Sequence, residues 1–246
     1  MSTRSQWRAQ QLAAFDPDAP SQAARGLFGL PFTAESAELV ILPVPWEVTT
    51  SFREGTARAP AAIRAASPQI DYFDPLLPDI WQLGVAEGTL PEAVNQANAR
   101  LRPLARERIA RLETGQAVET EPLAEINAGC TAMVESVREQ AQQHLAENQR
   151  VAVLGGDHST PLGLLQALDA QGEAFGILHL DAHADLRAEY EGFTHSHAAI
   201  MHHAAQLRRV ETILQVGLRD FSQAEWQRAT DDPRIVPVPA AELNRT

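Results

Sequence analysis

The sequence has one cysteine, no lysine, and no apolar run near the ~18 residues that a membrane-spanning helix needs. A lone cysteine, Cys130, excludes an internal disulfide framework and is typical of proteins from a reducing cytosol. The first twenty residues also lack the apolar stretch of a secretory signal. A cytoplasmic protein with no membrane partner is therefore expected, with Cys130 packed as a small apolar side chain on a helix.

Positive charge is scarce as well. The sequence has 20 arginines and 32 acidic residues, which gives a formal net charge of −12. This balance argues against nucleic acid or an anionic membrane surface as the main partner, and it favours a cationic ligand only weakly. Apolar residues make up 44% of the 246 positions, so the chain can bury a substantial core.

Short apolar segments alternate with helical patterns along the chain. The predicted strands are 38–46, 81–88, 150–156, 174–180, 212–218 and 234–239, and the longer predicted helices are 91–112, 122–147, 161–172, 196–208 and 222–229. This alternation predicts an α/β fold of the three-layer αβα type, with a mostly parallel central sheet covered on both faces. In the absence of repeats or low-complexity linkers, residues 1–246 are predicted to form a single domain, with an N-terminal arm at 1–36.

Polar residues follow two of the predicted strands. The stretch "LGGDHS" (154–159) places His158 just past one strand, and "ILHLDAHADLR" (177–187) places Asp181, His183 and Asp185 at alternate positions after another. Because strand side chains alternate with period two, these three are expected on one face. Open α/β sheets bind ligands beyond the carboxyl ends of their strands, so all four residues are expected to converge there.

The residue types at this edge predict a metal site. Seven of the eight histidines fall between positions 158 and 203. Imidazole and carboxylate ligands without thiolates suit Mn²⁺, Fe²⁺, Zn²⁺ or Co²⁺. A shared carboxylate such as Asp181 can bridge two ions about 3.5–4 Å apart. Bound cations would also neutralise acids that otherwise repel one another.

Three short motifs carry a family resemblance. "GGDHS", "DAHAD" and "SHA" occur in the order and approximate spacing of the ureohydrolase family of arginases, agmatinases and guanidinobutyrases. "SFREGTARAPAAIRAAS" and "LQVGLRD" resemble other segments of that family. The resemblance extends from about residue 38 to the end and is strongest to agmatinase-type members. Within it, residues 90–120 resemble an added helical insertion. It implies an arginase-like fold, two Mn²⁺ ions per subunit, and a homo-oligomer, either a trimer or a hexamer.

The same resemblance assigns roles to individual residues. It implies that His158 and Asp185 hold one manganese ion, that His183 holds the other, and that Asp181 bridges the two. Hydroxide between the ions would attack a guanidinium carbon, from which urea then leaves. Asp185 would also orient that hydroxide, and His197 would carry protons to the leaving amine, because imidazole titrates in the needed range.

Neighbouring residues receive less specific expectations. Asp157 and Ser159 are expected to fix the ring of His158. His179 has the same parity as Asp181, and a buried, hydrogen-bonded core histidine is favoured over a ligand at that position. The arginines between positions 100 and 111 are expected on a solvated or subunit-facing side of a helix.

The sequence departs from the family pattern in one place. The family continues with an Asp-x-Asp segment that supplies further ligands, and none occurs after Leu214. Weak binding of the metals, or binding of only one, is therefore expected, together with a sheet that ends early at an exposed edge.

Three functions remain open from the sequence. The first is a dimanganese hydrolase that releases urea from a small cationic guanidino compound, with agmatine preferred over 4-guanidinobutyrate and arginine. The second is a non-catalytic metal-binding or subunit-interaction remnant of the same fold. The third and most distant is a zinc deacetylase with a related sheet.

Overall fold

A computed structural model describes residues 3–22, 25–118 and 120–243. Its strands are β1 Leu39–Val44, β2 Val85–Glu87, β3 Arg150–Gly155, β4 Phe175–Leu180, β5 Val210–Leu218 and β6 Ile235–Pro239. Its α-helices are α1 Thr3–Ala13, α2 Ala59–Ala66, α3 Glu92–Glu113, α4 Glu121–Ala146, α5 Leu162–Gln171, α6 Ile200–Ala204, α7 Gln223–Asp231 and α8 Ala240–Leu243. Every predicted strand is present; the helix predicted at 196–208 is shorter and begins with a 3-10 turn, His197–Ala199.

All neighbouring strands run parallel, and together with the helices they form a three-layer α/β fold, as predicted. The strands divide into two sheets of three, with the orders β2-β1-β3 and β4-β5-β6. No hydrogen-bonded ladder joins β3 to β4 within the described part of the chain. The prediction of parallel pairing is therefore confirmed, and in the described part of the chain the strands form two sheets of three.

Helices α3 and α4 supply much of the main core. Leu101 from α3 and Ile126 and Met133 from α4 are almost completely buried, in one cluster with Trp46 and Phe193. The segment 90–120 is thus integrated into the core rather than attached to the surface. Of the helices that the structure describes, none is both long enough and apolar enough to cross a bilayer.

Cys130 lies on the same buried face of α4. Its side chain is fully buried, and this burial raises the pKa of the thiol. The group therefore stays protonated and packs as a small apolar side chain, as the sequence predicted.

Within the described residues, β3 and β4 each pair with a neighbouring strand on one side only. Along β4 the side chains alternate as the strand period requires: His179 is buried, whereas Leu178 and Leu180 are 63% and 70% exposed. Exposed leucines beside an unpaired edge favour self-association.

Candidate metal centre

The loop after β3 is pressed against the loop after β1. At Gly156, which has φ +27°, an added Cβ would lie 2.2 Å from the Trp46 carbonyl oxygen. The Asp157 N–H donates to that same oxygen at 2.8 Å. Only glycine allows this close backbone approach, which turns the chain and places His158 at the carboxyl end of β3.

The loop after β4 carries the acids of the site. Strand β4 ends at Leu180, so the loop beyond it carries Asp181, His183 and Asp185. The expectation that strand alternation places these three side chains on one face is therefore wrong. Backbone turns do so instead. The His183 N–H donates to Asp181 Oδ1 at 2.9 Å, and Asp185 adopts φ +52° while its carbonyl accepts from the N–H of Met201 at 3.0 Å.

Four side chains form a cluster at these two loops and the end of β4. His158, His179, Asp181 and Asp185 each offer a ligand atom, and these atoms all lie within 4.8 Å of one another. His158 Nδ1 is 2.6 Å from Asp185 Oδ2 and 3.4 Å from Asp181 Oδ2. Two carboxylates converging on an imidazole nitrogen are a donor set that fits a divalent cation with nitrogen and oxygen ligands. The predicted grouping of His158, Asp181 and Asp185 is thus present.

His183 lies beside this cluster rather than within it. Its side chain is 58% exposed, with Nδ1 at 3.3 Å from Asp181 Oδ1 and Nε2 at 3.7 Å from Asp220 Oδ2. Asp220 comes just after β5, so the rule that ligands bind beyond strand carboxyl ends would have identified it. The role of His183 as a metal ligand stays a prediction.

His197 faces the same cleft from the 3-10 turn before α6. Its ring nitrogens lie 3.4 Å from Thr49 Oγ1 and 3.5 Å from Ser51 Oγ, and its backbone N–H donates to Thr49 Oγ1 at 3.1 Å. The cleft measures about 640 Å³, and its lining includes His158, Asp181, His183, Asp185, His197 and Asp220. All of the site residues predicted from the sequence therefore line one cavity.

The charges of the cluster shift the pKa values of its members. Burial lowers the pKa of His158, but the hydrogen bond and negative charge of Asp185, with the charge of Asp181, outweigh it and raise the pKa overall. Burial raises the pKa of Asp181, but contacts from His179, the His183 N–H and the His158 ring outweigh it and lower the pKa overall. The site therefore holds negative charge that a cation can neutralise.

Asp157 and Ser159 are hydrogen-bonded to each other within the loop that carries His158. Asp157 Oδ1 accepts from the Ser159 N–H at 2.9 Å, and Asp157 Oδ2 lies 3.4 Å from Thr49 Oγ1. Burial raises the pKa of the Asp157 carboxyl. The ring of His158 is hydrogen-bonded to Asp185, and a role of Asp157 and Ser159 in fixing that ring stays a prediction.

Arg102 on α3 is hydrogen-bonded to the loop after β1, which contains Thr49 and Ser51, the two partners of His197. Its guanidinium donates to the carbonyl oxygens of Val48 at 3.0 Å and Thr50 at 2.6 Å, and it lies 3.4 Å from Glu54 Oε1. The side chain is only 11% exposed. The expectation of a solvated or subunit-facing arginine is thus wrong at Arg102, and α3 supports one wall of the cleft.

We expect Arg102→Met to lower the free energy of unfolding by about 2–3 kcal/mol, because two charge-assisted hydrogen bonds to backbone carbonyls are lost. Urea denaturation measures this. Arg106→Met is the matched control: Arg106 is 66% exposed and lies 3.7 Å from the same Glu54 carboxylate, so a change of at most about 0.5 kcal/mol is expected. Equal losses in the two variants would contradict the proposed anchoring.

Glu191, in the loop beyond the acids, makes stability depend on pH. Desolvation, aided by the charge of Glu113, raises its pKa to about 6 from 4.5. A carboxyl with a raised folded-state pKa destabilises the fold as pH rises from 4.5 through 6, and the full effect is present above 6. Glu191→Gln should therefore stabilise the protein at pH 7.5 by about 1 kcal/mol, because solvent screens about half of the effect of this partly exposed carboxylate. At pH 4 the substitution should have little effect.

Urea denaturation across this pH range gives the measurement. Glu189→Gln, which neutralises an exposed carboxylate two residues away, serves as the control and should leave the profile unchanged. A gain from Glu191→Gln that is the same at pH 4 and pH 7.5 would contradict the assignment.

The sequence matches known proteins over most of its length. The model of the arginase family matches residues 37–245. The N(1)-aminopropylagmatine ureohydrolase of Thermus thermophilus is 35% identical over 212 residues, which cover 86% of this chain and 60% of that protein. The agmatinase of Halalkalibacterium halodurans is 25% identical over 201 residues, which cover 80% of this chain and 57% of that protein. The chain thus spans about three fifths of the length of these relatives.

Solved structures share the fold at low identity. The agmatine ureohydrolase of Thermoplasma volcanium superposes with a TM-score of 0.61 and 20% identity, over 97% of this chain and 67% of that one. The formimidoylglutamase of Bacillus subtilis gives a TM-score of 0.64 and 15% identity, over 94% and 63% of the two chains. With the family match extending from the strand β1 to the end of the described fold, the chain belongs to the arginase family.

Proposed function

We propose that this chain carries the dimetal centre of a ureohydrolase, which hydrolyses a guanidino compound to urea and an amine. The observation that carries the proposal is the convergence of His158, Asp181 and Asp185 at one cleft, with ligand atoms within 4.8 Å. His183 and Asp220 at the rim extend the donor set toward a second ion. The proposed ions are Mn²⁺, in keeping with nitrogen and oxygen donors and the family membership.

Each residue has a distinct task in this proposal. Bound divalent ions would supply the Lewis acidity that makes hydroxide available near neutral pH. Asp185, which is buried, accepts a hydrogen bond and so orients the attacking group toward the guanidinium carbon. His197, held by Thr49 and Ser51 across the cleft, delivers a proton to the nitrogen of the departing amine as the C–N bond breaks.

The cleft favours a cationic substrate without a carboxylate. Asp181, Asp185 and Asp220 line it. Among the described residues of the lining, Arg187 is the one arginine, and it lies 3.4 Å from Glu225 Oε2, which gives it an acidic partner. An α-carboxylate such as that of arginine therefore finds no free counter-charge among these lining residues. We propose an agmatine-type substrate, and we place N(1)-aminopropylagmatine before agmatine because relatives of that name reach 35% identity.

A urea-release assay tests the proposal. The chain is incubated with Mn²⁺, or after chelation, and supplied with N(1)-aminopropylagmatine, agmatine, 4-guanidinobutyrate or arginine. Metal-dependent urea from the first two, at kcat/KM values at least about tenfold above the others, is the expected result. Arginine as the preferred substrate would contradict the substrate assignment.

The second candidate is a metal-binding or subunit-interaction protein of the same fold without turnover. It draws support from the position of His183, whose largely exposed ring lies beside the cluster of four potential ligands and not within it. Mn²⁺ binding without urea from any of the four compounds would establish this candidate and exclude the first. Light scattering of the same sample tests the proposed trimer or hexamer.

A further inference from the structure

His179 and Gln215 form a buried polar pair inside the sheet. They are partners in the register of β4 and β5, and both side chains are almost completely inaccessible to solvent. Gln215 is a polar residue in the otherwise apolar segment "TILQVGL". Burying an amide between apolar strands destabilises the fold unless the amide is hydrogen-bonded. The partners of Gln215 therefore show which of its side-chain atoms donate and which accept.

The hydrogen bonds of Gln215 fix which of its side-chain atoms is nitrogen. Its Nε2 lies 2.7 Å from the carbonyl oxygen of Ala184 and 3.0 Å from Nδ1 of His179. A carbonyl oxygen only accepts, so the Gln215 atom facing it must be the amide nitrogen. Both amide protons are then donated, one to Ala184 and one to His179.

This donation fixes the tautomer of His179. Because Nδ1 accepts a hydrogen bond from Gln215, it carries a lone pair, and the ring proton resides on Nε2. Nε2 is buried and makes no hydrogen bond within the described part of the chain, and Asp181 Oδ2 lies 3.5 Å from it. For Nε2 to bind a metal, the ring proton would have to move to Nδ1, where it would meet the N–H of Gln215 instead of an acceptor.

We propose that His179 is a positioning residue of the metal centre: its Nε2–H, oriented by Gln215, points at Asp181 and holds that carboxylate toward the ions. His179 therefore does not act as a ligand, although it lies within the cluster of potential donors. The chain of contacts runs from the Ala184 carbonyl through Gln215 and His179 to Asp181. This inference rests on the proposed function, because it takes Asp181 to be a metal ligand.

The tautomer is measured directly in metal-free protein. The full chain labelled with ¹⁵N-histidine gives long-range ¹H–¹⁵N correlation spectra that separate Nε2–H from Nδ1–H rings. The His179 signals are assigned by their disappearance in His179→Gln. An Nε2–H pattern is the expected result, and an Nδ1–H or doubly protonated ring would overturn the proposal.

Mn²⁺ affinity separates a donor from a ligand. His179→Gln keeps an N–H group near the position of Nε2, so its Mn²⁺ affinity should stay within about threefold of the parent chain. His179→Leu removes the donor and should lower the affinity about 10–100-fold, as is typical of groups that orient metal ligands. Equal losses in both variants, with unchanged circular dichroism, would identify His179 as a ligand and overturn the proposal. If the parent chain binds no Mn²⁺, the proposed function fails, while the spectra still decide the tautomer of His179.

Discussion

Asp181→Asn should abolish Mn²⁺-dependent urea release and lower Mn²⁺ affinity by more than ~100-fold, beyond the loss typical of groups that only orient ligands. Asp181 lies between His158 and His183, with Oδ2 at 3.4 Å from His158 Nδ1 and Oδ1 at 3.3 Å from His183 Nδ1. The carboxamide removes the negative charge and replaces one acceptor with a donor. It still offers an oxygen to the His183 N–H, so the loop and the fold should persist.

Isothermal titration with Mn²⁺ and the urea assay measure the two effects. Asp71→Asn is the matched control, because it neutralises an exposed aspartate outside the lining of the cleft. Its Mn²⁺ affinity should equal that of the parent chain. Parent-like affinity in Asp181→Asn would remove the basis of the proposed metal centre.

Periodicity was sufficient to predict the elements of this fold from sequence. Strands such as β3 and β4 read as short apolar runs, and α3 and α4 as long amphipathic patterns, because burial imposes those periods. The rule that ligands bind beyond strand carboxyl ends then located the cleft, since it depends on parallel topology alone. The pairing of strands into two sheets was not predictable, because it depends on contacts between segments far apart in sequence.

The composition of the cluster was harder to predict. Parity along a strand grouped His183 with Asp181 and Asp185, but the chain leaves the strand at Leu180 and turns through a positive φ at Asp185. L-residues rarely adopt that conformation, so local sequence gave little sign of it. His179, by contrast, was expected to be a buried and hydrogen-bonded histidine, and its burial and its bond to Gln215 confirm this.

Two residues that are not potential ligands, Gly156 and Arg102, support the loops of the site. Gly156 lets the loop of His158 approach the loop after β1, and Arg102 ties that second loop to α3. The ring of His197 lies within hydrogen-bonding distance of Thr49 and Ser51, which belong to the loop after β1. The geometry of the candidate site therefore depends on packing between β1, β3 and the helix that the sequence marked as an insertion.

The close approach at Gly156 can be tested with a single methyl group. In Gly156→Ala the Cβ would lie 2.2 Å from the Trp46 carbonyl oxygen and 2.8 Å from that of Val44, so backbone must move. We expect a loss of about 2–5 kcal/mol in the free energy of unfolding, from the positive φ and from overpacking. Because His158 follows two residues later, Mn²⁺ affinity should fall at least tenfold.

Gly172→Ala separates the two causes. Gly172 ends α5 at φ +87°, and an added Cβ there would have only Arg209 Nη2 near it, at 3.9 Å. This variant suffers the conformational cost without the clash, so a loss of about 1–2 kcal/mol and unchanged Mn²⁺ affinity are expected. Urea denaturation and isothermal titration on both variants give the comparison. If the two variants lose the same stability and both keep parent-like affinity, the contact between the Gly156 and Trp46 backbones does not position His158.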